Sequence, residues 1–368
     1  MKDKLRVCFI DPSGLNYDID TPYRRPLGGS KSALCYLAEQ LASAGHDVFT
    51  FTATSKPGLV RGVHCYRNSE PMEQDFFRSL DAVISLNGDA NLLQDGAGGP
   101  VNVLWTQHAH DQPQIQFLRM AEEREKWDRF VFISQWQKER YLDTFGIEPK
   151  KCTILRNAIS PAVEHAPPGD PWFKTSRTPT LVYTSTPFRG LDVLLMAFPA
   201  IRAAFPAITL EVYSSLSIYG EDEEGPYTVL YDMCRAMEGV QYFGSVAQSE
   251  LAAALSRASI LSYPNTFAET SCISVMEAMA AGCLIITARL GALPETSEGY
   301  AILLDPSPDR IHYAKNFATT TIDTLQDVSN NPEKYRILLD TQISHARSTL
   351  TWAKRAREWA DWLRTLVA

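Results

Sequence analysis

The sequence predicts an α/β protein built from two successive parallel-sheet domains. Three observations carry this. Short apolar runs alternate with longer helical patterns, the alternation breaks and restarts once, and 368 residues exceed what one hydrophobic core usually organises. In the first half, residues 5–10, 48–53, 82–86, 101–105, 130–134 and 152–155 are short, mainly apolar runs that read as buried strands. Between the first two, residues 30–44 place Ala33, Leu34, Leu37, Ala38 and Leu41 on one helical face, and Gly45 follows as a helix stop. A polar, proline-bearing stretch at residues 166–179 reads as a linker. The alternation then resumes, with strands expected at 180–184, 208–213, 240–243, 260–263, 284–287 and 301–304. Residues 350–367 read as one amphipathic helix carrying Trp352, Trp359, Trp362 and Leu363, large apolar groups that must pack on something. The expected division is therefore 1–165 for the first domain, 170–349 for the second, and a tail helix from 350 returning to the first.

Composition narrows the function. The chain is 45% hydrophobic and 21% charged, which suits a folded globular protein and excludes wholesale disorder. A formal net charge of −8 argues against nucleic acid as the main partner, since phosphate backbones reward a basic surface. The seven cysteines are scattered without a CxxC pair, so neither a disulfide framework nor a zinc site is expected, and they read as small buried hydrophobes. The N-terminal Met1-Lys2-Asp3-Lys4 runs straight into a strand, and no apolar run approaches the ~20 residues of a membrane helix, which places the expected location in the cytoplasm.

Three segments stand where α/β folds bind ligands. Pro26-Leu-Gly28-Gly29-Ser-Lys-Ser opens the first helix; glycines there admit close backbone approach, and a helix N-terminus favours an anion. It is neither a Walker A loop nor a GxGxxG fingerprint, and a turn without a ligand explains two glycines as well. The second segment runs from Glu269 to Glu277 after the strand at 260–263, with a helix expected to start near Ser271. The bare amides of Cys272, Ile273 and Ser274 would then face an anion. Glu277, about two turns further on, could bind vicinal ribose hydroxyls. Two solvated surface glutamates are the plainer reading. However, a helix as apolar as Val275-Met-Glu-Ala-Met-Ala-Ala is buried, and a buried glutamate needs partners. The third segment is Tyr183-Thr-Ser-Thr-Pro-Phe-Arg189-Gly190-Leu-Asp, the loop after the second domain's first strand, where Arg189 suits diphosphate oxygens, against the alternative of an ordinary exposed loop arginine.

With these residues assembled, Glu269 to Glu277 resembles the E-x7-E motif of the family-4 retaining glycosyltransferases, which have the GT-B fold of two Rossmann-like domains facing across a cleft. Flanking segments agree. Glu277-Ala-Met-Ala-Ala-Gly282 resembles the family's EAMA-x-G, and Gly291-Ala-Leu-Pro-Glu295 its later glycine and glutamate. Arg156-Asn157-Ala-Ile is similar to the P-N-G-V hinge, and Gly28-Gly29 with residues 37–48 to the N-terminal glycine pair and first helix. The resemblance implies that Glu277 holds the donor ribose and that Glu269 touches hydroxyls of the transferred sugar. It further implies that Arg189, with the amides near Ser271, Cys272, Ile273 and Ser274, neutralises the diphosphate, and that Gly28, Gly29 and Asn157 border the donor. No metal and no cofactor is implied, the nucleotide-sugar being a substrate.

Two departures stand out. The family usually has an arginine where this chain has Ser185 or Thr186, and a histidine near the sugar after the third or fourth strand. The third strand here ends Ser85-Leu-Asn87-Gly-Asp89, so His108, in Gln107-His108-Ala-His110-Asp111, takes that place as a candidate catalytic residue beside Arg189 and Glu269. The expected activity is transfer of a hexose-type sugar from a nucleoside diphosphate to a hydroxyl of a glycan, lipid or small molecule, with peripheral membrane contact left open. A sugar-nucleotide epimerase of similar fold, or a relative that only binds nucleotide-sugar, are the alternatives.

Overall fold

The computed structural model describes residues 2–88, 99–175, 177–219 and 225–367. Asp89 lies outside them. The described chain forms two compact units, one of Met1–Ala158 with Trp352–Ala368 and one of Ile159–Thr351.

In the first unit the strands are β1 (Arg6–Ile10), β2 (Asp47–Thr52), β3 (Gly58–Val60), β4 (Val63–Arg67), β5 (Ala82–Leu86), β6 (Val101–Trp105), β7 (Arg129–Phe132) and β8 (Cys152–Ile154). They form one sheet in the order β3-β4-β2-β1-β5-β6-β7-β8. Every pairing is parallel except β3 with β4. The chain therefore winds outward from β1 to β4 and reverses at β5. That switch point, at the carboxyl ends of β1 and β5, is where doubly wound sheets bind ligands.

The helix Gly29–Ser43 buries Ala33, Leu34, Leu37, Ala38 and Leu41 against this sheet, and Gly45 follows it at φ +93°. The closing helix Trp352–Leu366 sets Trp352, Trp359 and Leu363 into the same core, with Trp359 edge-on to Trp105 at 5.3 Å. Strands β3 and β4 were not expected from sequence. They form an edge hairpin around Arg61 and Gly62, both left-handed (φ 50° and 79°), and only the alternation Val63-His-Cys-Tyr-Arg betrays them.

The second unit carries β9 (Thr180–Tyr183), β10 (Thr209–Val212), β11 (Val240–Tyr242), β12 (Ile260–Tyr263), β13 (Leu284–Ala288) and β14 (Ala301–Leu304). All pairings are parallel, in the order β11-β10-β9-β12-β13-β14. Its switch point lies between β9 and β12. The helices Leu191–Ala204 and Ile273–Ala281 leave from those two strands and are apolar almost all round, as a covered sheet requires.

The proline-bearing stretch is more than a linker. It contains the short helix Trp172–Thr175, Trp172 is buried in the second unit's core, and the amide of Gly169 donates to the carbonyl of Ala281. One buried indole outweighs the local loop chemistry. The helix expected near Ser271 begins at Ile273, with Cys272 in extended geometry as its N-cap.

Candidate functional site

Two loops meet at the second unit's switch point, one after β9 and one after β12. Gly190 holds these two loops together, and Gly291, in the loop after β13, packs on the second. Gly190 sits at φ +104°, and a Cβ there would lie 2.1 Å from the Pro264 carbonyl oxygen. Gly291 sits at φ +60°, and a Cβ there would lie 2.5 Å from the Glu269 carbonyl oxygen, the atom that accepts the Ala292 amide at 2.7 Å. Only glycine permits both the approach and the dihedral.

This backbone junction brings Arg189 and Glu269 together. Arg189 Nη1 donates to Glu269 Oε1 at 2.9 Å and to Oε2 at 3.2 Å. The carboxylate is only 3% exposed, so an unpaired charge there would be costly. The hydroxyl of Tyr263, the last residue of β12, donates to Oε1 at 2.5 Å. Burial first, and the Glu269 charge next, push the Tyr263 phenol well above its ordinary value, so it remains a donor. The Arg189 guanidinium also lies over the rings of Phe267 and Phe188, at 4.8 and 5.3 Å, which fixes it in place. Arg189 is thus an anchored, half-buried cation.

The helix Ile273–Ala281 starts beside this pair. Its N-cap Cys272 offers no side-chain capping bond, and Ser274 Oγ donates to the Thr184 carbonyl at 2.7 Å, joining the helix's first turn to the β9 loop. Ser271, Cys272, Ile273 and Ser274 therefore border the loop that carries Arg189. In the same neighbourhood the hydroxyls of Thr184, Thr186 and Ser271 are buried without a hydrogen-bond partner among the described residues.

Glu277, further along the helix, is 2% exposed. Its Oε1 accepts from the Ser160 amide at 3.1 Å and from Gln248 Nε2 at 2.9 Å. Burial raises its carboxyl above the ordinary value, and these bonds oppose that rise. The buried glutamates thus have the partners that their burial demands.

The residues expected in the first unit are held differently. Gly28 is the N-cap of helix Gly29–Ser43 at φ −62°, so its value there is the absence of a side chain and not a special dihedral. Asn157 and Gln107 exchange paired amide bonds at 2.8 and 3.2 Å, and Arg355 Nε donates to the Asn157 carbonyl at 3.3 Å. His108 Nδ1 bonds Gln112 Oε1 at 2.6 Å. Burial lowers its pKa below the ordinary histidine value, against the bond to Gln112, which keeps the imidazole neutral at neutral pH. At the end of β1, Asp11 accepts from Tyr17 at 2.7 Å and Ser13 at 2.8 Å, and lies 3.9 Å from Lys31.

Sequence reasoning missed Tyr263, Gln248 and Asp11. Tyr263 and Asp11 had a signal, a polar group at the carboxyl end of a strand flanking a switch point. Gln248 had none, because a helix distant in sequence brings it to Glu277.

A glycosyltransferase from Rickettsia africae superposes with a TM-score of 0.74, 12% identity, and coverage of 100% of this chain and 99% of that one. Anabaena HepE, solved with UDP and glucose, gives 0.70 at 14% identity, covering 98% and 100%. The fold is GT-B.

Residues 178–327, most of the second GT-B unit, match the family model described as Glycosyl transferases group 1. Among curated proteins, a phosphatidylinositol N-acetylglucosaminyltransferase subunit of Arabidopsis thaliana is 25% identical over 213 residues, 56% of this chain and 44% of its own length. The chain spans less than half the length of the curated relatives it matches. Among the described residues, no helix is long and apolar enough to cross a membrane. The cysteines are free, and all but Cys152 are buried.

Proposed function

We propose that the chain is a retaining glycosyltransferase that moves a hexose-type sugar from a nucleoside-diphosphate donor to an acceptor hydroxyl, in the cytoplasm and without a metal ion. The observation that carries this reading is the Arg189–Glu269 pair, held by Tyr263 at the switch point between β9 and β12. It supplies a fixed cation beside uncapped helix amides, which is what a leaving diphosphate needs as its negative charge grows. In this reading the diphosphate rests on the amides of Cys272, Ile273 and Ser274, with Arg189 on its oxygens; Gly28 and Gly29 are proposed as further donor-binding residues. Glu269 takes hydroxyls of the sugar, and Glu277 Oε2 takes the ribose, its other oxygen being committed to Ser160 and Gln248. His108 is proposed as a catalytic residue acting through a neutral imidazole, its Nδ1 edge set by Gln112. The acceptor, a glycan, lipid or small molecule, attacks from the face that the leaving group departs.

The matched family model and the GT-B relatives support this assignment, and the hydrogen-bonded order of the site supports the roles. The test is a panel of nucleoside-diphosphate hexoses incubated with candidate acceptors, with and without EDTA. Free nucleoside diphosphate accompanied by glycosylated acceptor, undiminished by EDTA, is the expected result. An epimerised donor, or unchanged donor throughout, would reject it.

A further inference from the structure

Arg189 is not offered to a ligand as a lone charge. One of its nitrogens already faces both oxygens of Glu269, and that carboxylate is immobilised from the other side by Tyr263 and at its backbone by Gly291 and Ala292. The pair is formally neutral. A ligand that arrives at Arg189 therefore meets a fixed negative charge in the same place.

Resting on the reading above, we propose that Glu269 is the counter-charge of Arg189 and makes the site hold a nucleoside-diphosphate sugar more tightly than the free nucleoside diphosphate. The argument is one of donors and charges. A sugar brings hydroxyl donors, which a carboxylate with two oxygens accepts, so the intact donor turns Glu269 into a partner. A free diphosphate ends in oxygens alone. It brings no donor, carries additional negative charge, and competes with the carboxylate for the same guanidinium at the low effective dielectric of a buried site. Once the sugar has left, the carboxylate favours departure of the diphosphate. Binding energy withheld from the product in this way shortens the product-bound state without weakening the hold on substrate. Burial enforces the effect, because a carboxylate that is 3% exposed and anchored at two points cannot swing into solvent.

Calorimetry on the full chain tests this with UDP, GDP and ADP and the hexose conjugate of each. The parent is expected to bind one conjugate more tightly than its own free diphosphate. Glu269→Gln, which keeps the shape and removes the charge, should bind that free diphosphate about 10-fold more tightly than the parent, the scale of one hydrogen bond to a charged group. The conjugate should gain less, so the preference collapses. Glu269→Asp, which keeps the charge, should retain the parent's order of affinities. A parent that binds the free diphosphate more tightly than the conjugate overturns the proposal, even if Glu269→Gln fails to fold. So does a folded Glu269→Gln, judged by circular dichroism, whose diphosphate affinity is unchanged or weaker. A parent that binds no nucleotide of the panel rejects the glycosyltransferase reading itself.

Discussion

The two units share a topology but use their switch points differently. In the first unit, Asp11 after β1 gives its carboxylate to Ser13 and Tyr17, His108 after β6 gives one ring nitrogen to Gln112, and Asn157 after β8 gives its amide to Gln107. The first two sets of bonds stay within one strand-end loop, and the third joins two neutral amides across the loops after β6 and β8. At the ends of β9 and β12 a charged pair bonds across two loops, Arg189 to Glu269, with Ser274 donating to Thr184 beside it, over a junction that Gly190 permits. Like strands thus deliver like backbone geometry, while the residues at the strand ends decide whether that geometry stabilises a loop or presents a charge. The contrast predicts that substitutions in the second unit act on catalysis and donor binding, and that substitutions in the first act more gently.

The largest effect is expected at Arg189. If it stabilises charge that grows in the transition state, Arg189→Ala lowers kcat by a factor on the order of 10²–10³, with a smaller change in KM because the helix amides still hold the phosphates. Arg189→Lys should recover only part, the ammonium keeping the charge without the planar fork. Steady-state rates on a confirmed donor decide. A rise in KM alone, with kcat intact, would reduce Arg189 to a uniform binder and break the comparison at its strongest point.

Glu277 comes next. Glu277→Gln should weaken donor binding by about 1–3 kcal/mol, the usual range for a hydrogen bond to a charged group. Unchanged donor affinity in calorimetry would refute the ribose role.

How much of this was legible follows from where each signal resides. The sheet strands were readable because parallel strands covered on both faces are mainly apolar, as in Val101–Trp105 and Ile260–Tyr263. The β3–β4 hairpin was not, because an edge strand needs no apolar run; Leu59 is 67% exposed there. Glu269 and Glu277 stood out as acids in an apolar frame, and Arg189 as a cation after a strand. Their partners did not. Tyr263, marked only by its place at a strand's carboxyl end, otherwise reads as one more aromatic, and Gln248 and the Ser160 amide reach Glu277 only through the fold. The buried Trp172 shows the opposite failure, a stretch whose prolines and polar residues spelled linker while a single side chain committed it to a core.

A milder effect is expected in the first unit. Burial lowers the His108 pKa, so its neutral form persists below the ordinary histidine value of about 6.5. Activity that depends on neutral His108 should fall only on an acid limb below that value, and His108→Gln should remove the limb. A limb at or above the ordinary value would show that the ring is not held as the structure has it.

The smallest effect concerns stability, and it separates a binding charge from a structural one. The Glu277 carboxyl is raised in the folded protein, chiefly by burial, whereas in the unfolded chain it titrates near the ordinary value. Between those two values the folded state binds more protons than the unfolded state, so folding stability falls as pH rises through that window and stays lower above it. The stabilising, protonated form is fully present only below the unfolded value. Glutamine resembles that protonated form at every pH, and its Oε1 can still accept from Ser160 and Gln248. Glu277→Gln should therefore melt slightly above the parent at pH 7, by about a few degrees at most, and the difference should shrink towards zero as pH approaches the ordinary glutamate range. Thermal unfolding of both proteins across that range measures it. A variant that melts lower than the parent at neutral pH would mean that the charge itself supports the fold, and that Glu277 is a structural ion before it is a ribose ligand. A variant that melts higher yet loses donor affinity would show a charge kept at the expense of stability, as expected of a residue retained for binding.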